Sequence, residues 1–189
     1  MEDWVLRSLA RWPDVPALFG WLKLDRRGRW LIRGELISRP QIVDTINHNY
    51  AADAQGRWYF QNGPQRGYME LEYAPLVLRA DAAGETLTAH TEVRVGSVAA
   101  AYLDEEGALL LDTDLGPGVL DAADLAWALQ RLEADAGEVA EERLAEALAL
   151  PSGSVTPLYL RLGPARLPLL RLDAAEAPRQ LGFVREPQA

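Results

Sequence analysis

Short apolar runs separated by polar, glycine-bearing tetrads fill residues 20–115, and this pattern predicts a strand-rich body. Trp21-Leu22-Lys23-Leu24 and Arg29-Trp30-Leu31-Ile32-Arg33 flank Asp25-Arg26-Arg27-Gly28, which reads as a β-hairpin. Ser38-Arg39-Pro40-Gln41 then offers a serine cap with glutamine three residues on and proline in the first turn. A helix over 39–50 follows, with Ile42, Val43, Ile46 and Tyr50 on one face. Trp58-Tyr59-Phe60-Gln61 and Tyr68-Met69-Glu70-Leu71-Glu72-Tyr73 flank the loop Asn62-Gly63-Pro64-Gln65-Arg66-Gly67, a second hairpin. Pro75–Arg79, Thr86–His90, Val95–Leu103 and Ala108–Asp112 are further strands at close spacing, which favours an antiparallel meander over βαβ units.

Beyond Gly116-Pro117-Gly118 the period changes. Asp121 is a cap, and Leu125, Ala128, Leu129 and Leu132 recur at helical spacing; Glu138–Leu148 forms a second amphipathic helix ended by Pro151-Ser152-Gly153. Leu158–Leu162 and Leu167–Leu172 are strand-like but interrupted or bounded by proline, which places them at a sheet edge. The expected architecture is therefore α+β: an antiparallel strand-rich body with a packed helix over 1–115, and an acidic helical segment with C-terminal strands over 116–189, packed together as one unit. One internal echo stands out. Asp25-Arg26-Arg27-Gly28-Arg29-Trp30 and Asp53-Ala54-Gln55-Gly56-Arg57-Trp58 share a frame 28 residues apart, which either local turn chemistry or duplication produces.

Gly28-Arg29-Trp30, Gly34-Glu35-Leu36-Ile37-Ser38-Arg39, the Asp53-x-x-Gly56-x-Trp58 frame and Ala74-Pro75-Leu76, in that order, resemble a bacterial domain-of-unknown-function family, number twelve eighty-five. The resemblance covers about residues 20–115. It departs where an acidic residue is expected just before the Ala-Pro pair, since Tyr73 stands there after Glu72. It implies an intracellular bacterial α+β protein with a ligand-binding or signalling role, and it brings no assigned active site.

Charge and composition narrow the function classes. The 189 residues carry a net charge of −9, near neutral over 1–80 (11 basic, 9 acidic) and strongly acidic over 81–189 (8 against 19). Such a chain repels phosphate backbones, so nucleic acid is not the expected ligand. No apolar stretch reaches the roughly 20 residues that span a bilayer, and Met1-Glu2-Asp3-Trp4 is acidic where a secretory signal is basic. No membrane association and a cytoplasmic location are expected. Without cysteine, thiolate chemistry is excluded.

The two histidines, His48 and His90, fall in different elements, so neither metal nor cofactor is expected. Asp112-Thr113-Asp114-Leu115-Gly116 has its glycine one position early for a calcium loop, and Ala123 stands at the closing position. Nucleophile-elbow, phosphate-loop and dinucleotide signatures are missing. Two readings compete for the 58–68 segment. Either its aromatics are core and its amides satisfy the loop, or Trp58, Gln61, Asn62, Gln65, Arg66 and Tyr68 form one side of a pocket closed by Asn47 and His48. In the second reading aromatic faces, paired amides and a two-pronged guanidinium suit a small polar or anionic ligand. Strand alternation buries either Trp58 with Phe60 or Tyr59 with Gln61, not both, and a structural Arg66 would meet Glu70 or Glu72. The expected function is a non-catalytic binding or regulatory protein. The alternatives are an acid–base enzyme using Asp44 and His48, one helical turn apart, and an adaptor whose acidic stretch 104–146, with 13 carboxylates and 2 arginines, meets a protein partner.

Overall fold

The structure, a computed structural model, describes residues 3–11, 15–81, 83–135 and 139–189. The chain forms two compact units: unit 1 comprises residues 1–75, 90–92 and 182–189, and unit 2 comprises 76–89 and 93–181. The expected boundary at 115 lies within unit 2, in a turn between two paired strands.

In unit 1, helix α1 (Asp3–Arg11) precedes β1 (Leu18–Leu24), β2 (Trp30–Ile32), β3 (Glu35–Leu36), α2 (Pro40–His48), β4 (Tyr50–Ala52), β5 (Trp58–Asn62) and β6 (Gln65–Leu71). The six strands order as β3-β2-β1-β6-β5-β4. Both expected hairpins are present, with Leu22 opposite Ile32 and Tyr59 opposite Tyr68. The sheet is not purely antiparallel, because β1 runs parallel to β6.

Two expectations around α2 need correction. Ser38 does not cap it: Arg39 occupies the N-cap without a side-chain bond, and Pro40 opens the first turn. The helix stops at His48 rather than residue 50, since Asn49 turns the chain and donates its Nδ2 to Thr45 O at 2.9 Å. Tyr50 then starts β4 opposite Phe60 and packs its ring 4.9 Å from both Trp30 and Trp58.

Unit 2 contains β7 (Leu76–Ala80), β8 (Leu87–Ala89), β9 (Val98–Leu103), β10 (Leu109–Thr113), β11 (Gly116–Leu120), α3 (Leu125–Leu129, preceded by a 3-10 turn), β12 (Leu132–Ala134), α4 (Glu141–Ala149), β13 (Val155–Leu162), β14 (Ala165–Arg171) and α5 (Ala177–Leu181). The strands order as β12-β13-β14-β9-β10-β11-β7-β8 around a core that includes Leu78, Leu110, Leu111, Leu158, Leu160 and Leu169.

Three expectations differ here. Gly116-Pro117-Gly118 is strand rather than break: a Cβ on Gly118 would stand 2.8 Å from Leu78 Cγ, so the glycine lets β11 lie against β7. The helix expected through Leu132 ends at Leu129; Leu132 joins β12 opposite Leu160, and Leu129 faces outward. The proline-bearing β13 and β14 are interior strands. Pro157 is accommodated in a register shift between Val155 and Tyr159, where an irregular ladder tolerates the missing donor. For the acidic helix expected from Glu138, that residue lies outside the described ones, and α4 begins at Glu141.

Candidate functional site

Unit 2 holds a cleft of about 990 Å³ built from four segments. Residues 84–87 form its first wall. They are presented by a turn in which Asp81 accepts from Glu85 N at 2.8 Å and Thr86 Oγ1 at 2.7 Å; these bonds hold the Asp81 carboxyl below its ordinary range. Residues 94–98 form the second. Asp114 Oδ1 accepts from Gly96 N and Ser97 N at 2.9 and 3.0 Å, and a Cβ on Gly96 would stand 2.8 Å from Asp114 Oδ2. The end of α3 and the residues just after it supply Trp127, Gln130 and Arg131, and the β13–β14 hairpin supplies Arg161, Leu162, Gly163, Ala165 and Leu167.

Arg131 is held without an acid. Its guanidinium lies 4.4 Å from the Trp127 ring, Nη1 donates to Trp127 O at 3.1 Å, and Nη2 donates to Gly84 O, which also receives Trp127 Nε1 at 2.8 Å. Arg161, by contrast, is ion-paired with Glu133, which also takes Arg166 Nε. Arg94 has neither hydrogen bond nor ion pair among the described residues. Unit 2 carries 8 arginines against 17 carboxylates, and five of those arginines meet a carboxylate. Among the described residues Arg94 and Arg131 do not, nor does Arg143 on α4. Two of the three guanidinium groups of unit 2 that meet no carboxylate among the described residues therefore line one cleft.

The eight site residues expected from the sequence lie in unit 1, and the cleft lining includes none of them. Gln61 is fully buried; its Nε2 donates to Gly63 O at 2.9 Å and Gln65 O at 3.3 Å, and its Oε1 accepts from Arg66 Nε at 3.2 Å. Arg66 meets this amide and the Tyr59 ring, 4.5 Å away, rather than Glu70 or Glu72. Tyr68 is buried, stacks on Phe19 at 4.6 Å and donates to Asp53 Oδ2 at 3.0 Å. Trp58 packs against Tyr50, Asn62 is exposed, and Gln65 Nε2 donates to Pro16 O at 3.2 Å.

Asn47 is buried and accepts from Trp30 Nε1 at 2.8 Å. His48 is exposed beside exposed Asp44, Nδ1 to Oδ1 3.3 Å. Neither face of β5 is left open in the way strand alternation predicts. Trp58, Tyr59 and Gln61 are all buried, because Tyr50 covers one face of β5 while Tyr68 and Arg66 cover the other.

Of the acidic stretch 104–146, several members serve local structure: Asp104 is fully buried, Asp121 caps the 3-10 turn, and Asp124 accepts from Ala80 N at 3.0 Å. Sequence reasoning missed the cleft because its arginines fall at 94, 131 and 161, far apart along the chain. The one shared local signal is a glycine in three of the four lining segments, Gly84, Gly96 and Gly163.

Two curled sheets with few and short helices, one unit bearing an arginine-lined cleft, define a strand-rich α+β protein. A family model described as "Protein of unknown function (DUF2946)" matches residues 1–188, and the chain belongs to that family. Among solved structures, the chain is similar to a DUF1285 family protein from Silicibacter pomeroyi DSS-3, with a TM-score of 0.54 and 16% identity over 86% of each chain. It is also similar to a DUF1285 family protein from Shewanella baltica OS155, with a TM-score of 0.43 and 12% identity over 56% of this chain and 87% of that one. The first of these shows a shared fold, in line with the resemblance carried by the glycines and aromatics of residues 28–76. No curated protein matches the chain. Among the described residues no helix is long and apolar enough to cross a membrane, and no cluster of three or more His or carboxylate side chains is placed to hold a metal.

Proposed function

We propose that the chain is a non-catalytic binding or regulatory protein of the bacterial cytoplasm that takes a small anionic ligand in the unit 2 cleft. The observation that supports this reading is the pair Arg94 and Arg131, two guanidinium groups without a carboxylate partner among the described residues, in a unit where carboxylates outnumber arginines two to one. A guanidinium surrounded by excess carboxylate usually finds one, because the charge-assisted bond is among the stronger polar contacts a protein makes. Arg131 is also pre-positioned by Gly84 and Trp127, so little side-chain entropy is lost on binding. Of the remaining polar lining, Thr86, Ser97 and Gln130 suit recognition of oxygen-rich groups, while Arg161 is paired with Glu133 and Glu85 adds one carboxylate.

The test is a thermal-shift screen of phosphates and carboxylates on the full chain, repeated with Arg94→Ala. Arg94 ties down no other side chain among the described residues, so the unliganded variant should melt with the wild type and lose the anion-induced shift. An anion shift that survives Arg94→Ala unchanged would overturn the assignment of the cleft.

A further inference from the structure

The ligand class can be narrowed further, and this step rests on the anion-binding reading above. We infer that the cleft takes an amphipathic organic anion, a carboxylate or phosphate group carried on an apolar body, rather than a free inorganic ion.

Three observations carry the inference. First, the space is large: the open cleft measures about 990 Å³, which gives room for an organic body and not only for an ion. Second, the lining is mixed at the level of neighbouring residues. Leu87, Val95, Val98, Trp127, Leu162 and Leu167 line it alongside the arginines, and of these only Leu87 is buried by the protein itself. A hydrated ion would leave those surfaces in water, whereas an apolar body removes them from it at a gain proportional to the area covered.

Third, the backbone donors that a bare anion prefers are already taken. Consecutive N–H groups form the usual nest for phosphate or sulfate. Here Gly96 N and Ser97 N both donate to Asp114 Oδ1, and Glu85 N donates to Asp81 Oδ1. At each segment a carboxylate of the protein itself, Asp114 or Asp81, stands in the place a free anion would occupy. What remains for the ligand is side-chain recognition by Arg94 and Arg131 and apolar contact along the walls. Arg161 is neutralised by Glu133 and Glu85 adds one carboxylate to the lining, so against Arg94 and Arg131 one head group of charge −1 balances the site.

Calorimetric titration of the full chain with matched pairs tests this: octanoate against acetate, phenyl phosphate against inorganic phosphate, and octanol as the uncharged control. The organic member of at least one pair should bind at least about tenfold tighter than its small counterpart, the worth of roughly two buried methylenes. The pair that binds tighter identifies the head group. Leu167→Ser should weaken the organic anion about tenfold and leave the small anion within twofold, while Arg94→Ala should weaken both. Equal affinity within each pair would overturn the amphipathic class and leave the anion site standing. Octanol binding as tightly as octanoate, or no binding by any anion, would overturn the anion site itself.

Discussion

Asp25 and Asp53 explain the 28-residue echo by turn chemistry. Each sits at the first corner of a tight hairpin turn and accepts from the backbone N–H groups two and four residues on: Arg27 and Arg29 for Asp25, Gln55 and Arg57 for Asp53. Each also takes the Nε of the arginine at the fifth position, at 2.7 and 2.8 Å. Asp104 repeats the backbone part with Glu106 N and Ala108 N, and Asp81 accepts from Glu85 N, so four Asp-x-x-Gly tetrads do the same job in both units. Short side chains that bond their own backbone are favoured at such corners whatever the ancestry of the segment.

For Asp53, burial alone would raise the carboxyl, but bonds from Arg57, Tyr68 and Gln55 outweigh it and hold the group below its ordinary range; Asp25 behaves alike through Arg29 and Arg27. A folded-state value depressed below the unfolded one, about 3.9, stabilises the fold at higher pH, and that contribution is lost as pH falls through the folded value. Asp53→Ala should therefore cost about 2 kcal/mol at pH 7, and the gap to wild type should close on acidification below about pH 4. Thermal melts at pH 7 and pH 3 measure both; a gap that widens in acid contradicts the account. The glycines of these turns are not equivalent. Gly107 has φ +86° with open space around its Cβ position, so Gly107→Ala should cost only the left-handed strain, about 1 kcal/mol. A Cβ on Gly56 would stand 2.1 Å from Gly182 O, so Gly56→Ala should cost at least about 3 kcal/mol in urea unfolding.

At the scale of elements, the hairpins and α2 were legible because period and turn residues are local properties. The failures share a cause: a neighbour distant in sequence overrides local preference. Gly118 reads as a breaker until Leu78 is placed against it, and Leu132 reads as helical until Leu160 lies opposite. Arg171 shows the same dependence energetically. It is 3% exposed, donates to Leu103 O, Leu148 O and Leu150 O, and pairs with Asp173, so one guanidinium ties β14 to the end of β9 and to the C-terminal end of α4. Arg171→Ala leaves those carbonyls short of a donor and should destabilise the protein by about 3 kcal/mol. Hydrogen exchange should show α4 amides opening most; a uniform, sub-kilocalorie effect would show that the guanidinium does not secure α4.

For the whole molecule, the two units are threaded through one another in sequence. The chain leaves unit 1 at Pro75, returns for residues 90–92, and returns again at Gly182. That last segment matters to unit 1: Val184 N donates to Gly56 O at 3.0 Å, Leu71 N to Arg185 O at 2.8 Å, and Arg185 Nε to Tyr73 O at 2.8 Å. A fragment of residues 1–115 lacks this segment, and it also lacks β11, which pairs with β10 and β7, and β14, which pairs with β9. It should show no cooperative melt and poor amide dispersion by NMR, whereas the full chain should melt cooperatively with dispersed amides; a cooperative fragment would place the boundary near 115.

The chain's own order determined the strand-rich α+β class, the two hairpins, α2 and the acid-capped turns, because each rests on contacts within a few residues. Tertiary structure alone decided that β13 and β14 are interior, that both faces of β5 are covered, and that Arg94 and Arg131 share a cleft. Those outcomes depend on which distant segments meet, and hydrophobic period constrains which face of an element is buried without naming the partner that buries it.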